Sequence, residues 1–299
     1  MNRVFKIGSL EFKNPVLTAS GTFGMGELLK DFMDYSKLGG ITLKTVTRSP
    51  RDGNPPPRIY ETPCGLLNSI GLENEGFDRV YARLKEDDYL EEYPTNVIFS
   101  IAGDTIDDFA EMAEAFSLIE GIDMIELNLS CPNVKSGGMT FDCEVDTVES
   151  IVKKTASAMK KSEKPFTVKL SPMQDIVKNA RVAEESGSNA VTISNTYIGV
   201  AIDIKTGEFV FKNKTAGFSG PAVKPLSLYN VYRVAQTVKI PVIASGGICS
   251  TEDAIEFMLA GANFVSIGTM TFIEPDIAVK VADGIERYLG CVKSFSLEW

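Results

Sequence analysis

Short runs rich in valine, isoleucine and leucine recur along the chain, separated by stretches with apolar positions at helical spacing. Eight of them predict core strands: residues 15–20 (PVLTAS), 40–46 (GITLKTV), 96–102 (NVIFSIA) and 124–130 (MIELNLS), then 166–171 (FTVKLS), 190–195 (AVTISN), 241–246 (PVIASG) and 264–269 (FVSIGT). Between them, Ile106, Phe109, Ala113 and Phe116 form one apolar helical stripe. Ser250, with Asp253 three positions on, caps a helix predicted over residues 251–260, and residues 177–185 and 226–238 read similarly. Strands apolar along their whole length belong in a parallel sheet covered by helices. Eight is the closing number of a (β/α)8 TIM barrel, although an open doubly wound sheet has the same periodicity.

Residues 4–12, with a turn at Gly8-Ser9, predict a hairpin ahead of the first strand. Long connections follow strands 2 (47–76), 4 and 6 (196–225), the last with a hairpin around Thr206-Gly207. Ordered connections of that length commonly serve as lids or binding loops. No repeat, linker or low-complexity tract interrupts the pattern, so the expectation is one α/β domain over residues 1–299.

The strands share a habit: their C-terminal ends turn polar, with Ser20, Lys44, Ser100, Asn128, Lys169 and Asn195 on the first six. Strands 7 and 8 end in Gly246-Gly247 and Gly268-Thr269. In a barrel these ends meet at one mouth, where active sites of this architecture lie. A lysine within an apolar strand is costly unless it meets a negative partner. The glycines suggest that partner, because they let backbone N–H groups approach an anion beside a helix N-terminus. This says phosphate; a flavin mononucleotide and a sugar phosphate both fit.

Composition narrows the chemistry. Across 299 residues, 30 basic against 40 acidic side chains leave a net charge of −10, which disfavours nucleic acid and anionic membrane as partners. No apolar leader or span of membrane length is evident. The 5 cysteines include no CxxC pair, and the chain has no histidine, so a disulfide framework or metal site is not expected and a reducing cytoplasm fits. Proton chemistry must therefore come from another group. Cys131, just past strand 4 among Asn128, Asn133 and Asn68, is the candidate, since a thiolate accepts a proton. Cys64, Cys143, Cys249 and Cys291 read as buried and inert. Asparagine amides suit a planar ligand with alternating N–H and C=O groups, and the glycines of NVKSGGMTF would let the loop after strand 4 move over the site.

The segments NLSCPNV, LNSIGLEN, SNT, SGPAVKP, SGGI and IGT, in this order, resemble the dihydroorotate dehydrogenase family over roughly residues 5–272. The resemblance implies a (β/α)8 barrel holding one FMN and oxidising dihydroorotate to orotate in pyrimidine (UMP) synthesis. It makes Cys131 the catalytic base that takes the C5 proton while hydride leaves C6 for flavin N5. Substrate contacts are implied at Lys44, Asn68, Ser69, Ile70, Gly71 and Leu72, and at Asn128, Asn133, Asn195 and Thr196. FMN contacts are implied at Ser20, Lys44, Thr45, Ser100, Asn128 and Lys169, and at Ser194, Gly220, Gly246, Gly247, Gly268 and Thr269. Lys169 would face the pyrimidine end of the flavin, where reduction builds negative charge.

Cysteine at 131 resembles class 1 of the family, because the membrane-bound class carries serine there. PPPRIYETPCGLLNSIGLEN and SNTYIGVAIDIKTGE resemble the NAD-linked class 1B catalytic subunit. That class implies a homodimer of this chain joined into a heterotetramer with a subunit carrying FAD and a 2Fe–2S cluster. Ser100 departs from it, since many class 1B chains have asparagine there and class 1A chains serine. Alternatives are a fumarate-linked class 1A enzyme and an FMN barrel acting on another dihydropyrimidine, such as dihydrouridine or dihydrouracil. A flavin-free Schiff-base enzyme using Lys44 or Lys169, and a phosphate-binding scaffold without chemistry, are the others.

Overall fold

Branched aliphatic side chains pack well on a pleated surface, and here they build eight short parallel strands. In the computed structural model, which describes residues 4–86, 90, 93–130, 132–133 and 139–291, these are β1 (Val16–Thr18), β2 (Gly40–Thr42), β3 (Asn96–Ala102), β4 (Met124–Asn128), β5 (Phe166–Leu170), β6 (Ala190–Ile193), β7 (Val242–Ser245) and β8 (Phe264–Ile267). Each pairs in parallel with the next, and β8 pairs back onto β1 through Val265–Val16 and Ile267–Thr18. The sheet is closed: the fold is a (β/α)8 barrel, and the open-sheet alternative is excluded. All eight predicted strands are present; β3 keeps its predicted bounds and the other seven are trimmed at their ends. Predicted strand 2 is interrupted after Thr42, because the Lys44 amide donates to the Gly24 carbonyl (2.7 Å) before Val46-Thr47 rejoins β3.

Seven α-helices among the described residues cover the barrel: α1 (Phe77–Glu86), α2 (Ile106–Ser117), α3 (Val145–Ala158), α4 (Ile176–Glu185), α5 (Lys224–Ala235), α6 (Thr251–Leu259) and α7 (Ile277–Cys291). Thr105 and Asp108 form a full capping box on α2, and the Ser250 hydroxyl accepts the Asp253 amide (3.2 Å) on α6. Only 3-10 turns join β1 to β2; that segment is broken by Gly21, Gly24 and Gly26, poor helix formers. Phe99, Phe109 and Phe116 are fully buried between strands and helices, the Phe99 and Phe116 rings 4.3 Å apart. Each such ring contributes roughly 1.5–3 kcal/mol by burial.

The N-terminal hairpin, Phe5–Ile7 paired with Leu10–Phe12, closes the N-terminal end of the barrel. Its Ile7 and Phe12 pack on the bottom layer of Leu17, Ile98, Met124 and Phe264. Two residues further along several of these strands the interior turns polar: Ser100 follows Ile98, Glu126 follows Met124, Thr192 follows Ala190 and Ser266 follows Phe264. Period-two alternation thus stacks an apolar floor beneath a polar upper layer.

The long connections fold together. Residues 47–76 contribute the hairpin Ile59–Thr62 and Gly65–Asn68; residues 196–225 contribute Tyr197–Val200 and Thr215–Ser219. These four strands form one antiparallel sheet, joined across the loops by Gly217–Asn68 pairing. The hairpin predicted around Thr206-Gly207 is present as Ile202–Asp203 against Glu208–Phe209. No helix among the described residues is long and apolar enough to cross a membrane.

Candidate active site

Closure of the sheet brings the polar strand ends to one mouth, and the antiparallel sheet walls the cavity above them. Counted together with the open solvent at its mouth, the space there is about 1280 Å3.

The strand ends supply the floor: Ser20 after β1, Lys44 and Thr45 after β2, Asn128 on β4 and Lys169 on β5. Ser194, Asn195 and Thr196 follow β6, and the Ile193–Ser194 peptide is cis. Asn195 Nδ2 donates to Asn128 Oδ1 (3.2 Å), and the Thr196 amide donates to Asn195 Oδ1 (2.8 Å), so the two amides have fixed orientations. Asn68 arrives from the antiparallel sheet, its Nδ2 held by the Gly217 carbonyl (3.1 Å). Ile70 and Leu72 also line the cavity.

The far wall comes from β7 and β8. Gly246 and Gly247 have φ of 122° and 84°, a region that side chains with a Cβ rarely adopt. A Cβ on Gly247 would lie 2.6 Å from the Lys224 amide nitrogen. Backbone therefore packs against backbone, leaving a shallow cradle edged by Gly268 and Thr269, whose hydroxyl donates to Ser219 Oγ (2.8 Å). The Ser227 hydroxyl in this wall is fully buried beside Tyr197 yet makes no hydrogen bond of ordinary length. A glycine cradle with a buried hydroxyl beside it fits a phosphate-bearing group.

Two ammonium groups face the cavity from opposite circumstances. Lys169 Nζ donates to Ser20 Oγ (3.1 Å) and lies 3.8 Å from Glu126 Oε1, with both charged side chains buried. Lys44 Nζ makes no hydrogen bond or ion pair among the described residues. Burial pulls its pKa below the usual lysine value; Glu73 opposes this and Arg58 adds to it. The third lysine near the mouth, Lys224, is spoken for by Asp253 (2.6 Å) and Glu256 (3.0 Å), and its bond to Asp253 raises its pKa. Among the described residues, Lys44 is thus the lysine the cavity offers uncommitted to an anionic ligand.

Of the residues implied by resemblance, Ser20, Lys44, Thr45, Asn68, Ile70 and Leu72 line this one cavity, as do Asn128, Lys169, Ser194, Asn195 and Thr196. Gly220, Gly246, Gly247, Gly268 and Thr269 join them on the far side. Three do not reach it. Ser69 is turned away to Asn54 (2.9 Å), Gly71 packs against Asn54, and Ser100 is sealed one layer below, between Thr45 and Glu126. Cys131, the side chain of Asn133 and residues 134–138 lie outside the described residues.

Sequence reading missed Tyr197, Ser219, Ser227, Ser245 and Ser266, all on the cavity wall. Ser245 and Ser266 were findable, since period two puts them on the inward face of β7 and β8. Ser227 lies inside a helix and carried no such signal. Cys64, Cys143 and Cys291 are exposed, not buried as the sequence suggests; the half-buried Cys249 does line the cavity. Burial first, and Asp253 second, push its thiol up to about 11, so it stays protonated near neutrality. No cluster of metal-binding side chains occurs among the described residues.

Fold and cavity together define a class: a (β/α)8 barrel enzyme with a cationic, glycine-edged chamber at its C-terminal mouth. The family profile described as Dihydroorotate dehydrogenase matches residues 4–289, and the chain belongs to that family. It is 49% identical over 290 residues to a protein of Thermoanaerobacter sp., covering 97% of this chain and 94% of the relative. Relatives from Bacteroides thetaiotaomicron (47%; 95% and 94%) and Thermodesulfovibrio yellowstonii (44%; 95% and 92%) align similarly. All three are named dihydroorotate dehydrogenase B (NAD(+)), catalytic subunit.

Proposed function

We propose that this chain oxidises (S)-dihydroorotate to orotate, the redox step of pyrimidine synthesis, with one FMN bound per barrel. The observation that carries the reading is the cavity itself, where a glycine cradle with an orphaned hydroxyl stands across from an amide wall and an uncommitted ammonium. FMN, when bound, supplies the acceptor at N5 for the hydride released from substrate C6. Gly246, Gly247, Gly268 and Thr269 would hold its phosphate, and Ser20, Thr45 and Lys169 would contact its ring. Asn68, Asn128, Asn195 and Thr196 orient the substrate's amide edges, and Lys44 neutralises an anionic oxygen. Cys131 Sγ takes the C5 proton as the C6 hydride leaves, so both hydrogens are accounted for. The relatives' names, which end in catalytic subunit, support a cytoplasmic partner subunit whose FAD and 2Fe–2S cluster would carry the electrons on to NAD.

Anaerobic titration tests the reading directly. The FMN-saturated protein should be yellow, and dihydroorotate should bleach its flavin band while dihydrouracil should not. A protein that stays colourless after FMN saturation overturns it. NAD-dependent turnover only with a co-purifying cluster-bearing chain supports the partner; fumarate-driven turnover of the isolated chain overturns it.

Lys44 gives a pH signature. Below its folded pKa it is an ammonium and attracts orotate; above it the charge is gone. Because burial lowers that pKa, orotate affinity should fall at a lower pH than an ordinary lysine would dictate. The same shift costs the fold stability while Lys44 is protonated. That penalty lifts as pH rises from the folded to the unfolded pKa, since the unfolded chain is then the state holding the proton. Orotate titrations across alkaline pH should show the fall in the parent and none in Lys44→Arg.

A further inference from the structure

A carboxylate sealed inside the barrel beneath the site has no part in the scheme above. Glu126 is 4% exposed, does not line the cavity, and stands inward on β4 two residues before Asn128. Burying a charge costs stability unless it is paired and hydrogen-bonded, and an apolar side chain there would continue the barrel floor more cheaply. What surrounds Glu126 is specific. Its Oε1 accepts from Ser100 Oγ (2.8 Å) and lies 3.8 Å from Lys169 Nζ. With Ser100 donating to the carboxylate, the hydroxyl of Thr45 donates to Ser100 (2.9 Å). A relay of two hydroxyls thus runs from the cavity floor to the carboxylate, and the ammonium closes the circuit from β5.

We propose that Glu126 is a positioning residue that holds Lys169 against the cavity floor and offsets part of its charge, so that the pair, not the lysine alone, sets the reduction potential of the bound flavin. The inference rests on the FMN reading. Reduction adds negative charge to the flavin, which a nearby ammonium favours; a carboxylate behind that ammonium opposes it. Glu126 therefore keeps the flavin a stronger reductant than a bare lysine would. It also gives Ser100 a role: it orients the carboxylate and does not touch the cofactor.

The test is the midpoint potential of FMN in the purified chain, by spectroscopic redox titration of the parent, Glu126→Gln and Glu126→Asp. Glutamine keeps the shape and the Ser100 contact but removes the charge. The expected result is an equilibrium shifted about tenfold towards reduced flavin, about 30 mV more positive for a two-electron couple. Aspartate draws the carboxylate one methylene away from Lys169 and should shift the potential in the same direction by less. An unchanged or more negative potential in Glu126→Gln, or an aspartate shift as large as the glutamine shift, overturns the inference. Should Glu126→Gln fail to fold, Glu126→Asp decides alone: a positive shift supports the pairing, and none overturns it. A parent protein that binds no FMN defeats the functional reading first and this inference with it.

Discussion

Replacing Cys131 with alanine is expected to leave FMN bound and to slow flavin reduction by dihydroorotate by about 10²- to 10⁴-fold, the usual contribution of a positioned general base. The chain has no histidine, which is the commonest general base. Of the two lysines on the cavity floor, Lys169 is paired with Glu126, and Lys44, though its pKa is lowered, is assigned to the anionic end of the ligand. Cys249, the described thiol in the cavity wall, is held protonated by burial. A thiol must lose its own proton first, ordinarily at a pH of about 8.5, so the parent's reduction rate should rise towards alkaline pH. Stopped-flow reduction at several pH values measures both effects. A Cys131→Ala variant that reduces at the parent rate, or a flat parent profile, would remove Cys131 from the role.

The second large effect concerns the cradle. Gly247→Ala is expected to weaken FMN binding by about 10- to 100-fold, the equivalent of losing one charge-assisted hydrogen bond of about 1.5–3 kcal/mol. At φ of 84° a Cβ is strained, and it would meet the Lys224 amide at 2.6 Å, so the turn must move and carry its N–H groups with it. Lys224 cannot yield freely, because it is tied to Asp253 and Glu256 on α6. Fluorescence titration of the apoprotein with FMN measures the change; unchanged affinity would place the phosphate elsewhere on the mouth.

Much of this molecule was legible in one dimension because the strands are buried on both faces and so read as continuous apolar runs. The helix start at Ser250 was legible for a different reason, since a cap is a local hydrogen bond between neighbours in sequence. The same holds for the site residues at strand ends: Asn128, Lys169 and Gly246 each break an apolar pattern. Boundaries were less legible. The interruption of predicted strand 2 comes from a bond between Lys44 and Gly24, residues whose proximity is a product of folding.

Ser100 and Glu126 mark the limit most clearly. Both are polar residues inside apolar strands, and both signal a function by the same rule as Lys169. Whether such a residue faces the cavity or lies one layer beneath depends on the stagger of neighbouring strands. Register pairs Ser100 with Glu126, and Asn128 with Lys169, at different heights in the barrel.

By itself, then, the sequence determined the eight core strands, the polar mouth and the absence of histidine, because period, composition and capping are local properties. Only the tertiary structure decided that the sheet closes, that two distant loops share one antiparallel sheet, and that Lys169 has a buried counter-charge while Lys44 has none among the described residues. Those outcomes depend on strand register and on which side chains exclude water together, and neither is encoded in any single stretch of the chain.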